Sequence, residues 1–62
     1  MLFRSLSALQ RSLWDTLRSE PRHVDVLVAT AGADTGAVLT ALTELEMRGV
    51  VQQRPGMVFG LA

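Results

Sequence analysis

A mainly α winged helix-turn-helix, a three-helix bundle with a C-terminal β-hairpin wing, is the fold this sequence predicts, on three observations. Gly32 closes an apolar-periodic stretch, Asp34 supplies a fresh helix cap two residues later, and the next helical stretch runs into Gly49-Val50-Val51. A short helix, a tight turn, a longer helix and then a strand is the chain order of a helix-turn-helix followed by a wing. At 62 residues the chain holds one domain at most. Its hydrophobic fraction of 48% suffices for a core and leaves apolar surface for a neighbour to cover.

Residues 1–5 read as the tail of a linker, and residues 6–62 as the domain. Helix 1 is expected over 8–18. Ser7 and Gln10 form a capping box, in which each side chain serves the other's backbone amide. Leu6, Leu9, Leu13 and Leu17 lie at helical spacing, and Trp14, about 100° round from Leu13, widens that face. Pro21 forbids continuation and holds Glu20 out of the helical region. Helix 2 is expected over 24–31, with a stripe of Val24, Leu27, Val28 and Ala31 and with Gly32 in the left-handed position past its end. Asp34 caps helix 3, expected over 35–48, whose seam is Val38, Leu42 and Leu45 with Leu39 and Ala41 flanking. Gly49 ends it. Strands follow at 50–54 and 57–61, with Pro55-Gly56 turning the chain between them. Two strands alone are marginal, so the hairpin must pack on the helices, and a bridge near Arg22–His23 is open as a third strand.

Charge narrows the function. Six arginines face six acids, Lys is absent, and the formal net charge is zero. A free-standing DNA binder usually carries a basic surplus, because phosphate neutralisation supplies most non-specific affinity. The balance therefore points to a domain of a larger protein whose main DNA affinity lies elsewhere. There is no cysteine, hence no disulfide framework and no thiolate metal site. No apolar run approaches the roughly 18 residues that span a bilayer, so no membrane partner is expected. Met1-Leu2-Phe3-Arg4 is too short for a signal peptide.

By position, helix 3 is the recognition helix. Its exposed candidates are Thr35, Gly36, Thr40, Thr43, Glu44 and Met47, and none is an Arg, Lys, Asn or Gln that could make a bidentate base contact. Threonines can bond phosphate oxygens, which carries no sequence information. Two readings stand side by side: a phosphate-contacting face, and a solvated face with ordinary threonines. The wing adds Gln52, Gln53 and Arg54, and an arginine at a hairpin tip can reach phosphate or a narrow minor groove. Arg48, in the last turn of helix 3, either joins that surface or offsets the helix dipole. Arg22 and His23 precede helix 2, whose N-terminus could hold a phosphate through free amides, while capping is the other role open to His23. The DNA-contacting candidates are thus Thr35, Thr40, Thr43, Arg48, Gln53 and Arg54.

No enzyme is expected. Asp25 and Asp34 each suit a helix start, Ser5, Ser7 and Ser12 have no histidine near them in sequence, and no glycine-rich phosphate loop is present. A lone His23 makes no metal site, and no cofactor is expected. Phe3, Trp14, Met47 and Met57 exceed what the three-helix seam needs. Such residues are enriched at protein interfaces, so they are the candidates for a docking surface; the other reading puts Trp14 in the core.

Leu6-Ser7 opening a helix, Glu20-Pro21-Arg22-His23-Val24-Asp25 between helices, Ala41-Leu42-Thr43-Glu44-Leu45-Glu46 leading into Gly49-Val50-Val51, and Arg54-Pro55-Gly56 before the last strand resemble one known family. It is the C-terminal winged-helix domain of DprA, the DNA-processing protein of natural transformation, and the resemblance covers about residues 6–60. It implies a cytoplasmic protein that binds incoming single-stranded DNA and loads the RecA recombinase, with the main strand site, dimer contacts and RecA contacts on a Rossmann-like domain of the same chain. It gives the winged helix an accessory role, in duplex contact or protein interaction, and leaves a homodimer of the full-length protein open. Family members often carry an arginine and a tyrosine in the last strand, where this chain has Val58 and Phe59, and an acid early in helix 3, where it has Ala37. The rival readings are a protein-interaction module without DNA contact and a small winged-helix transcription regulator, which would need a dimer to read a palindrome.

Overall fold

The computed structural model describes residues 6–62. Three helices and three short strands follow in the order α1 (Ala8–Leu17), β1 (Arg22–His23), α2 (Val24–Ala31), α3 (Thr35–Met47), β2 (Val51–Arg54) and β3 (Val58–Leu61). The expected linker at 1–5 lies outside the described residues, and so does Phe3.

Each helix boundary has a local chemical cause. The Ser7 hydroxyl accepts from the Gln10 amide at 3.1 Å, and Gln10 Oε1 accepts from the Ser7 amide at 2.9 Å, which closes the expected capping box. Helix α1 ends at Leu17, one residue early, because the Arg18 amide already reaches back three residues to Asp15 at 3.3 Å. Gly32 takes the left-handed conformation (φ 67°) and donates to the Val28 carbonyl, ending α2 where expected. Asp34 then caps α3 through the Ala37 amide at 3.0 Å. The axes of α2 and α3 bend by 112° across this turn, within the range of helix-turn-helix pairs.

Helix α3 also stops one residue early, at Met47. The Val50 amide donates to Leu45 and the Gly49 amide to Glu46, at 2.9 and 3.0 Å, with Gly49 left-handed at φ 77°. This six-to-one, five-to-two pair is a Schellman motif, and it makes Arg48 the cap. The motif also uses Val50, so β2 begins at Val51, although the Val50 carbonyl still accepts from the Ala62 amide at 3.0 Å.

The sheet is antiparallel with order β1-β3-β2. Arg22 pairs with Phe59 and His23 with Val58, which lengthens the anticipated bridge into a two-residue strand. Val51 faces Leu61 and Arg54 faces Val58 across the hairpin. Met57 was expected in the last strand but lies in the turn, left-handed at φ 61° after Gly56 at φ 85°. Two consecutive left-handed residues are needed for the chain to reverse before Val58.

The core lies where the helices meet the inner face of the sheet. It contains Leu13 and Leu17 of α1, Val24 and Leu27 of α2, Val38, Ala41, Leu42 and Leu45 of α3, and Val50, Val51 and Phe59. Two expectations about α1 need correction. Leu6 and Leu9 are only half-buried against this core, and Gln10, unmarked as a core residue, is 4% exposed. The buried line Gln10-Leu13-Leu17 is rotated from the all-leucine stripe because Gln10 satisfies both ends of its amide inside the fold. Val28 and Ala31 likewise pack at the core's rim.

Candidate nucleic-acid interface

Burying Val38, Ala41, Leu42 and Leu45 turns the opposite side of α3 outward. At 100° per residue, Gly36, Thr40, Thr43 and Met47 fall within roughly 60° of arc on that side. All four are exposed, as is Thr35 at the start of the helix. Glu44 and Glu46 flank this ridge, one on each side, and both are exposed. The ridge is therefore uncharged at its crest and acidic on its shoulders. Two hydroxyls can approach a phosphate there, but no side chain along the crest can clamp a base edge.

Glu44 is fixed in place. Gln10 Nε2 donates to Glu44 Oε1 at 2.6 Å, across 34 residues of sequence, and ties α1 to the outer side of α3. The capping box uses only the oxygen of the Gln10 amide, so its two N–H donors needed a partner. That leftover donor capacity was the available sequence signal; the partner's identity was not. Beside this bond lies a shallow, open cleft of about 590 Å³ lined by Leu6, Ser7, Gln10, Glu44, Met47 and Arg48.

Each helix N-terminus of the helix-turn-helix carries a side-chain cap. His23 Nδ1 accepts from the Asp25 amide at 3.0 Å, so His23 caps α2. Its neighbour Arg22 faces Glu20, with Nη1 3.8 Å from the carboxylate. At α3 the Asp34 carboxylate occupies the capping position itself. Each cap takes one of the first-turn amides that a phosphate would use.

The wing holds Gln53 and Arg54 on opposite faces of β2, because side chains alternate along a strand. Gln53 Nε2 donates to Met57 Sδ at 3.3 Å, which folds the tip on itself. Arg54 does not project from the tip. Its Cζ and Nη2 both lie 3.2 Å from where a Cβ would stand on Gly60, so the guanidinium lies across the neighbouring strand. A glycine inside a strand often marks such a close approach. Arg48, exposed at the end of α3, closes its helix through backbone bonds to Glu44 and Glu46, and its other contacts leave it engaged.

The docking candidates separate. Trp14 is half-buried against the core, with the Arg18 guanidinium 5.0 Å from its ring centroid and Arg18 bonded in turn to Asp15 at 3.3 Å. Met57 is 41% exposed and tied to Gln53, whereas Met47 is 82% exposed at the edge of the cleft. Thr35, Thr40, Thr43 and Arg48 thus lie along α3, while Gln53 and Arg54 lie on a separate element. Among the described residues no group of three metal-ligating side chains comes together.

The model of the DprA winged helix domain matches residues 4–57, and the chain belongs to that family of non-catalytic winged helix domains. The family is one of DNA-processing proteins and is tied to natural transformation. No curated protein matches the chain. Among solved structures it is similar to the crystal structure of N,N-8-amino-8-demethyl-D-riboflavin dimethyltransferase (RosA) from Streptomyces davawensis, at 27% identity and a TM-score of 0.77. That likeness covers 89% of this chain and 17% of the methyltransferase chain, so it concerns one small part of a larger enzyme.

Proposed function

We propose that this chain is an accessory DNA-handling domain of a larger cytoplasmic DNA-processing protein, which touches DNA weakly through backbone phosphates and performs no catalysis. The outer ridge of α3 carries the reading. Along Gly36, Thr40, Thr43 and Met47 the two threonines offer hydroxyls and no residue offers a base-reading fork, and the flanking Glu44 and Glu46 oppose deep entry into a groove. Thr35, Thr40 and Thr43, with Arg48, Gln53 and Arg54, supply phosphate-directed groups at the surface. In the full-length protein a Rossmann-like domain takes the incoming single strand and brings it to RecA, and the winged helix helps position that DNA. The neutral net charge fits a module whose partner domain supplies most of the electrostatic affinity.

A docking module is the second reading, favoured by one observation: Met47, 82% exposed, stands beside the cleft between α1 and α3. A sequence-reading transcription regulator has less support, because the crest of α3 lacks base-directed side chains. Fluorescence anisotropy with labelled duplex and single-stranded DNA tests the proposal. Micromolar-range binding that weakens with salt is the expected result. No binding to either DNA at low salt, together with a folded protein, would replace it with the docking reading.

A further inference from the structure

We propose that the outer face of the sheet holds a segment of single-stranded nucleic acid, with one base stacked on the Arg54 guanidinium; the proposal rests on the DNA-handling reading and specifies a second contact surface for it. Strand pairing defines this face. Phe59 and Val51 point into the core. Their neighbours therefore point outward, and the register groups Gln52, Arg54 and His23 around Val58 and Gly60.

Arg54 is held flat on this face. Gly60 has no side chain, and the guanidinium occupies the space a Cβ would fill, with Pro21 Cγ 3.4 Å from the same point. Arg54 and Pro21 cover Gly60, which is buried, while Arg54 itself remains exposed. Among the described residues Arg54 has no hydrogen bond or ion pair. Of the nearby acids, the Glu20 carboxylate is 3.8 Å from Arg22, and the Asp25 carboxylate lies 3.6 Å from His23 Nδ1, which already accepts from the Asp25 amide.

The geometry selects the occupant. A carboxylate or phosphate takes the N–H edge of a guanidinium, whereas an aromatic ring takes its face. With one face laid on the Gly60 backbone and Arg54 exposed, the other face suits a flat π-system, and one nucleobase matches it in size. Bases inside a duplex are already stacked on both sides, so the matching base is an unpaired one. Gln52, across from Gly60 on the same face, is placed to bond the base edge. The negative strand complements the Arg54 cation. This surface is separate from the α3 ridge, which contacts backbone phosphates only.

The test is anisotropy of this chain with labelled oligothymidylate and, separately, with a hairpin-closed duplex, comparing Arg54→Ala, Arg54→Lys and Gly60→Ala. Loss of base stacking predicts about tenfold weaker oligothymidylate binding for Arg54→Ala. Arg54→Lys keeps the charge and loses the plane, so it should recover less than half of that loss on a logarithmic scale. Gly60→Ala should weaken single-strand binding as well, by lifting the guanidinium, and its circular dichroism melt checks that it folds. Duplex binding should fall less for Arg54→Lys than oligothymidylate binding does, because lysine keeps the positive charge that a phosphate contact uses. Oligothymidylate binding by Arg54→Lys equal to wild type, or unchanged by Arg54→Ala, overturns the stacking surface and leaves the phosphate-contact reading standing if duplex binding persists. Absence of binding to both DNAs overturns both.

Discussion

Replacing Gln10 with alanine should destabilise the domain more than any ordinary polar substitution on a helix. One amide both caps α1 and ties it to α3: its oxygen accepts from the Ser7 amide at 2.9 Å, and its nitrogen donates to Glu44 at 2.6 Å. Losing its half of the capping box costs about 1 kcal/mol. A hydrogen bond to a charged group is worth about 1.5–3 kcal/mol, which falls to about 1 kcal/mol here because Glu44 is exposed and water can replace the lost partner. The total is about 2 kcal/mol, a large share of the few kcal/mol a domain of this size has. At about 4–8 °C per kcal/mol, the melting temperature should fall by roughly 8–16 °C. Urea denaturation followed by circular dichroism measures the loss directly. Glu44→Ala should cost about 1 kcal/mol, and the double variant should show a coupling of about 1 kcal/mol. A Gln10→Ala loss under about 0.5 kcal/mol, or zero coupling, would refute the claim that this amide joins α1 to α3.

Three further variants probe separate parts of the account. Gly32→Ala places a Cβ at φ 67° and should cost about 1 kcal/mol in a urea melt; open space around that position makes backbone strain the whole effect. Asp34→Ala should cost about 1 kcal/mol and increase amide hydrogen exchange at Ala37, while Asp34→Ser should retain most of the stability. Met57→Asn should raise stability by about 0.5–1 kcal/mol, since asparagine tolerates the left-handed conformation and the methionine side chain is largely outside the core; a loss of stability would show that the Gln53 contact matters more than the strain.

The fold was legible wherever its causes were local. Ser7 with Gln10, Gly32, Asp34 and Gly49 each act within a few residues of themselves, so helix limits agreed to one residue. The seam of α3 followed from period alone. What the sequence concealed was pairwise and distant. Gln10 and Glu44 are 34 residues apart, and nothing in either neighbourhood names the other. Met57 reads as a strand residue by composition, and only the need to bring Val58 opposite Arg54 makes it part of the turn. Arg54 reads as a tip residue, but Gly60 gives it a bed to lie on. For the candidate surface the sequence offers only a list, Thr35, Thr40, Thr43, Arg48, Gln53 and Arg54. Its division into an α3 ridge and an outer sheet face required the strand register.

The dependence of duplex affinity on salt and sequence tests the central claim most directly. Two labelled duplexes of equal length and unrelated sequence would be titrated across a salt series. A domain that touches only phosphates predicts equal affinities and a common slope of log K against log salt of about −1 to −3. A tenfold or greater preference for one sequence, or binding that does not respond to salt, would contradict it.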